Sequence, residues 1–72
     1  MLLTEENIGQ VFKDYHGNSF TIIKEFKTCC SPLMYHAKEE GTNNVYAYSQ
    51  FGQRLDYNGS PVQDKDTSLI LY

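Results

Sequence analysis

Adjacent cysteines and two histidines are the residues of this chain whose chemistry could extend to catalysis or metal binding. Cys29 and Cys30 stand side by side, and His16 and His36 are the two histidines. A nucleophilic triad needs a thiol, a histidine and an orienting acid, and these residue types are too common to indicate one. Structural zinc needs four ligands at recognisable spacings, and CC-x5-H is not such a spacing. We therefore predict reduced thiols, His16 in a turn, His36 on an outer strand face, and no catalytic residue, metal or cofactor.

Aromatic side chains are the more informative group. The chain has six tyrosines and four phenylalanines among 72 residues, and each aromatic ring covers roughly 150 to 250 Å² when buried. A core this small cannot hold all of them, so some rings are expected on the surface. Exposed tyrosines are common anchors for protein partners and can also stack on nucleobases. The candidate partner-binding residues are Tyr46, Tyr48, Phe51, Arg54 and Tyr57.

Two of these candidates alternate with small apolar residues along one predicted strand. If Val45 and Ala47 face the core, Tyr46 and Tyr48 face solvent and form a binding surface. If the tyrosines face the core, Val45 and Ala47 are small residues on the outer side. The pattern alone leaves both orientations open.

The charge balance limits the choice of partner. Nine acidic and six basic residues give a formal net charge of -3 and a pI near 5.1, which is the wrong sign for gripping phosphate backbones over a wide face. A narrower alternative stays open, in which the aromatic rings hold a small nucleotide or a single-stranded nucleic acid with Lys13, Lys24 and Arg54.

Short segments that alternate apolar and polar residues predict five strands joined by polar turns. The strongest alternation is in Ser19–Phe26, where Phe26 is predicted to face the core and Glu25 to face solvent. Ile23 breaks the alternation, which indicates a bulge or burial on both faces. Gly52 marks a tight turn. The predicted strands are Gln10–Asp14, Ser19–Phe26, Leu33–Lys38, Asn44–Gln50 and Arg54–Asp56.

The strand pattern predicts an all-β protein with one domain over residues 1–72: a small SH3-like or OB-like barrel, or a curled antiparallel sheet of about five strands. A short helical turn capped by Thr4 precedes the strands. The apolar residues around it are expected to fold over one mouth of the barrel; they are Met1, Leu2, Leu3 and Ile8.

The chain ends on a strongly apolar tail. It is expected either to close its own barrel as a last strand or to pair with a second copy in a homodimer. The tail residues that would form this homodimer are Leu69, Ile70, Leu71 and Tyr72.

Three short motifs resemble small uncharacterised proteins of bacteriophages and prophages. They are Ser31-Pro32-Leu33, the aromatic strand Tyr46-x-Tyr48 followed by Gly52, and Asp66-x-Ser68-Leu69. The resemblance covers roughly residues 8–71 and implies an SH3-like barrel, a viral origin and a host-directed binding role. Some phage proteins of this size inhibit bacterial defence systems, as anti-CRISPR proteins do.

Together these features predict a small non-enzymatic viral protein that binds and inhibits a host protein. The alternative is the barrel that binds a nucleotide or single-stranded nucleic acid. The start of the chain has no basic segment followed by an apolar one, and no apolar run is long enough to cross a bilayer. We therefore expect no membrane partner and a cytoplasmic location, in the host cytoplasm if the protein is viral.

Overall fold

The computed structural model describes residues 1–27 and 33–71. Its centre is a five-stranded antiparallel sheet in which each strand pairs with the next along the chain, and the sheet curls strongly into a half-barrel. This confirms the all-β prediction. The strands are β1 Val11–Lys13, β2 Ser19–Phe26, β3 Met34–Glu39, β4 Val45–Ser49 and β5 Arg54–Leu55, and 3-10 turns span Glu5–Asn7 and Lys65–Thr67.

The inner face of the half-barrel holds the core. The direct pairing of Tyr35 with Tyr48 and of Phe12 with Phe20 places these rings on one face, because residues opposite each other in a sheet share a side. Ile22 lies on the same face and has no exposed surface. Four of the nine aromatic residues in the described part of the chain are buried, whereas Tyr15, Phe51 and Tyr57 are exposed, so the prediction that some rings lie on the surface is confirmed.

A bulge in β2 changes which residues face inwards. The pairing with β3 shifts between Ile22 and Lys24, so the extra residue Ile23 is exposed and every residue after it changes face. Glu25 now lies opposite the buried Tyr35, on the inner side. Phe26 lies on the outer side. Of the two alternatives predicted for Ile23, the bulge is the one found, and because of it the predicted placement of Phe26 inside and Glu25 outside was wrong.

The Phe26 ring is stabilised on the outer face of the sheet by aromatic stacking. Its ring is stacked on His36 with the ring centroids 5.8 Å apart and an angle of 16° between the planes. The Lys24 ammonium lies 5.8 Å from the centroid of Phe26. His36 thus stands on the outer strand face, as predicted.

The segment before β1 covers one end of the half-barrel. The Thr4 hydroxyl accepts a hydrogen bond from the Glu6 main-chain N–H, and the Asn7 side chain accepts one from the Thr4 N–H, which completes the capping box. Leu3 is fully buried, whereas Met1, Leu2 and Ile8 are exposed. The predicted cover is therefore formed by Leu3 alone among the four apolar residues.

The tail closes the open side of the curl within the same chain. Leu69 forms a bridge with Asp14 and donates its N–H to the Gly52 carbonyl over 2.8 Å, and the Ile70 N–H donates to the Lys13 carbonyl over 2.8 Å. Leu69 is buried and Leu71 packs against the core. The apolar tail that favoured a homodimer thus packs against its own chain as far as Leu71. Tyr72 lies outside the described residues.

Both outer strands of the sheet have their free sides covered. The tail lies along β1. On the other side, Leu55 forms a bridge with Pro61, and the Val62 N–H donates to the Arg54 carbonyl over 2.9 Å. A proline beside an outer strand offers no main-chain donor to a further strand.

The predicted thiols Cys29 and Cys30 lie outside the described residues, so their state stays a prediction. Within residues 1–27 and 33–71, no helix has the length and apolar character that a membrane crossing requires.

Candidate functional site at the edge of β4 and β5

The orientation of β4 decides which predicted site residues are accessible. Tyr48 has no exposed surface and Tyr46 is half-buried, both on the inner face, whereas Val45 is 47% exposed on the outer face. The second of the two possible orientations is therefore the one adopted. Tyr48 cannot offer its ring to a partner, and it supports the site from within.

Arg54 is held rigidly at the mouth of the half-barrel. Its guanidinium carbon lies 4.0 Å from the ring centroid of Tyr46, 5.4 Å from that of Phe20 and 5.6 Å from that of Tyr48. Its Nε and Nη2 donate to the Tyr48 hydroxyl over 3.3 and 3.0 Å. Cation–π contacts and hydrogen bonds thus fix the orientation of a cation that is only half-buried.

The hydroxyl of Tyr48 acts as the acceptor for this cation. Burial raises the pKa of Tyr48, and the hydrogen bond from Arg54 acts in the opposite direction without cancelling the effect of burial. The phenol therefore stays neutral at ordinary pH and accepts the hydrogen bonds of Arg54 at the mouth of the sheet.

A cleft opens beside this cation, where β5 ends before β4 does. Its volume is about 520 Å³, and Tyr46, Arg54 and Tyr57 all contribute to it. Tyr57 is 98% exposed, so its ring is almost entirely available for contact. We call this feature the edge cleft. The other lining residues are His36, Val45, Ala47, Leu55, Asp56 and Val62.

The remaining candidates lie elsewhere. Phe51 is 66% exposed in the turn that contains Gly52, and it does not line the edge cleft. Lys13 pairs with Ser19 on the outer face, and Lys24 is also outside, whereas Arg54 is inside. The three cations of the nucleotide alternative are therefore not brought together.

A separate polar group joins the first hairpin to the tail. His16, Asp64 and Asp66 each place a possible metal-binding atom within 4.8 Å of the others, and all three are exposed. His16 Nε2 lies 3.3 Å from Asp64 Oδ2. The Asp66 main-chain N–H, and after it His16, hold the pKa of Asp64 below its usual value. The group is explained as a structural contact between the turn that holds His16 and the segment that precedes the tail.

The sequence interpretation missed the apolar part of the site. Leu55 and Val62 form one wall of the edge cleft because the chain folds back along β5 at Pro61. The only sequence signal for this return is the turn-forming pair Asn58-Gly59 followed by Pro61. That signal predicts a long loop or a single helical turn over residues 57–65, and it does not predict a return of the chain along β5.

Comparison of the chain with protein-family models, with curated protein sequences and with solved structures gives no match. The class of the protein is therefore stated from its own geometry. It is an all-β domain with a curled five-stranded sheet, and the edge cleft is the surface feature that brings together Tyr46, Arg54 and Tyr57.

Proposed function

We propose that the chain is a small non-enzymatic binding protein that engages a host protein through the edge cleft and inhibits it. The surface chemistry supports the binding part of this proposal. The viral and inhibitory part comes from the resemblance to phage-encoded proteins.

The exposure of Tyr57 is the observation that carries the proposal. A partner that covers an aromatic side chain that is 98% exposed removes a large apolar area from water, which favours binding. Beside Tyr57 lie an immobilised arginine and an apolar wall. Tyrosine and arginine are the residue types most enriched among interface residues that dominate binding energy. Because Arg54 is already fixed by Tyr46 and Tyr48, little side-chain freedom is lost when a partner binds.

The position of the charges favours a protein over a nucleic acid. Arg54 is separated from Lys13 and Lys24 by the sheet itself, so no continuous basic path follows a phosphate backbone. The net charge of -3 adds a general repulsion of polyanions.

The test is retention of a host protein by the immobilised chain, followed by mass spectrometry. We compare the natural chain with Tyr57→Ala and with the matched control Tyr15→Ala, which removes a tyrosine that is 62% exposed outside the edge cleft. The proposal expects one stoichiometric protein that the natural chain and Tyr15→Ala retain and that Tyr57→Ala loses. Equal retention by all three chains would contradict it.

Two further measurements test the nucleic-acid alternative and the inhibitory role. The purified chain should show the absorbance ratio of protein alone, because co-purifying nucleotide would favour the nucleic-acid alternative. The retained protein should lose activity when the natural chain is added, and it should keep that activity with Tyr57→Ala. Binding without any loss of activity would leave the chain a binding protein and exclude the inhibitory role.

A further inference from the structure

Strand β4 extends beyond β5 and leaves part of its main chain without a strand partner. β5 ends at Leu55, which is opposite Ala47. The next positions on β4 are Tyr46 and Val45. In the described part of the chain the residues after Leu55 form no main-chain hydrogen bond with them, and the chain turns back instead, where the Gly59 N–H donates to the Asp56 carbonyl over 2.9 Å.

The direction of the unpaired groups follows from the alternation of an antiparallel ladder. Ser49 donates its N–H to Gln53 over 2.8 Å and so directs its main chain towards β5, whereas Asn44 accepts from the Glu39 N–H over 2.9 Å and directs its main chain towards β3. Main-chain direction alternates along a strand, so the N–H and C=O of Val45 point to the β5 side. In the described part of the chain no residue beyond Leu55 bonds to them.

The unpaired position lies directly beside the fixed cation. A residue opposite Tyr46 would share the inner face with it, and the Arg54 guanidinium lies 4.0 Å from the centroid of that same ring. Among the described residues, no carboxylate lies within 4.0 Å of the Arg54 guanidinium. The ion pair found there is between His16 and Asp64. The nearby Asp56 carboxylate instead accepts from the main-chain N–H groups of its own turn at Asn58 and Ser60.

We propose that the edge cleft binds an extended peptide segment of the partner as an added strand, with a Glu or Asp side chain that pairs with Arg54. The segment takes the position that β5 leaves empty and exchanges main-chain hydrogen bonds with Val45. This mode gives affinity through the backbone and specificity through alternate side chains. It rests on the proposed function, since it names how the partner is held in the same cleft.

The probe is a synthetic peptide, Val-Thr-Glu-Val-Thr with blocked ends, and the control peptide has Gln in place of Glu. Amide and arginine side-chain signals of the full chain are followed by NMR during titration. We expect the Val45 N–H and the Arg54 Nε–H to shift together, and the Gln peptide to bind about threefold to tenfold more weakly because a charged hydrogen bond becomes a neutral one.

A pair of chain variants isolates the main-chain contact. Val45→Pro removes the N–H that no described residue uses, and Val45→Ala is the matched control that keeps it. We expect about a tenfold loss of peptide affinity in Val45→Pro and little change in Val45→Ala. If Val45→Pro fails to fold, a peptide methylated on the main-chain nitrogen that faces the Val45 carbonyl provides the same test with the natural chain.

The outcomes distinguish this inference from the proposed function. Absence of any shift at Val45 and Arg54 at the highest soluble peptide concentration overturns it, and so does equal binding of the Glu and Gln peptides. Retention of a host protein that depends on Tyr57 but not on Val45→Pro would keep the proposed function and overturn the added strand. Shifts confined to Lys13 and Lys24 on titration with a single-stranded oligonucleotide would favour nucleic acid instead.

Discussion

The two ends of the half-barrel use the same residue type in opposite ways. At the closed end, formed by Leu3, Glu25 and Tyr35, the Tyr35 hydroxyl lies 3.0 Å from both the Leu3 carbonyl and the Glu25 carboxylate, and these two acceptors share its one hydrogen. At the cleft end, the Tyr48 hydroxyl accepts from Arg54. The two tyrosines are direct partners across β3 and β4, and neither has exposed surface.

The hydrogen-bond partner of each buried tyrosine hydroxyl decides whether that end of the half-barrel is covered by the chain or left open. A main-chain carbonyl draws the N-terminal segment down over Tyr35. The Arg54 guanidinium has further N–H donors that need hydrogen-bond acceptors. It therefore stays at the surface, and the cleft end remains open to a partner. Stability should therefore depend most on the closed end, and binding on the cleft end.

The largest effect is expected from removing the apolar plug of the closed end. Leu3→Ala should lower the free energy of unfolding by about 2 to 5 kcal/mol, because it leaves a cavity beside Tyr35. Leu2→Ala, one residue away and 46% exposed, is the control and should change little. Urea denaturation of both variants measures this. Equal losses would show that the closed end is not sealed by Leu3.

High pH should weaken the closed end next. Burial and then the Glu25 carboxylate raise the pKa of Tyr35 to about 12, while an unfolded tyrosine ionises near pH 10. Between these values the unfolded chain binds fewer protons than the folded one, so stability falls as pH rises. The loss from Tyr35 should reach about 2 to 3 kcal/mol by pH 12. Denaturation at several pH values should show a shallower decline in Tyr35→Phe, and an unchanged decline would refute the assignment.

The tail contact gives a smaller and more local effect. Gly52 has φ +86°, and an added Cβ would lie 3.1 Å from the Leu69 carbonyl oxygen, whereas Gly59 has φ +83° with open space around it. Gly52→Ala should cost about 2 kcal/mol and Gly59→Ala about 1, since both meet the left-handed penalty and only the first meets the tail. Thermal unfolding compares them, and a larger loss in Gly59→Ala would reverse the expectation.

The smallest changes in stability are expected from removing the two buried hydroxyls, and these variants distinguish the closed end from the cleft end by their effect on binding. Tyr35→Phe and Tyr48→Phe should each cost about 1 to 2 kcal/mol at neutral pH through lost hydrogen bonds. Only Tyr48→Phe frees Arg54, so it alone should weaken retention of the partner, by about threefold to tenfold. Parallel denaturation and retention measurements test both. A binding loss in Tyr35→Phe of the same size would remove the distinction between the ends.

The regular part of the fold was predictable because it depends on local alternation. The span Ser19–Phe26 was predicted to the residue, and the outer position of His36 followed from alternation around Tyr35. Alternation does not say which side is buried, however, so the orientation of Tyr46 and Tyr48 stayed open. It also does not say at which residue a bulge changes the face, and for this reason Glu25 was misplaced.

The site was predictable in its residue types and not in its shape. Arg54 and Tyr57 were named because exposed aromatic and arginine residues suit binding. The cleft between them depends on β5 being only two residues long and on the return of the chain at Pro61. Both depend on contacts between residues that are not neighbours in sequence, which a local pattern does not contain.

The bridge between Asp14 and Leu69 has a consequence for the order of folding. It joins residues near opposite ends of the sequence, whereas every pairing within the sheet joins strands that follow one another. Local hairpins close quickly, and a contact of high sequence separation must wait for them because its loop-closure entropy is larger. The tail should therefore dock last and open first. Native-state hydrogen exchange at Leu69 and Ile70 would then report partial opening well below the free energy of complete unfolding.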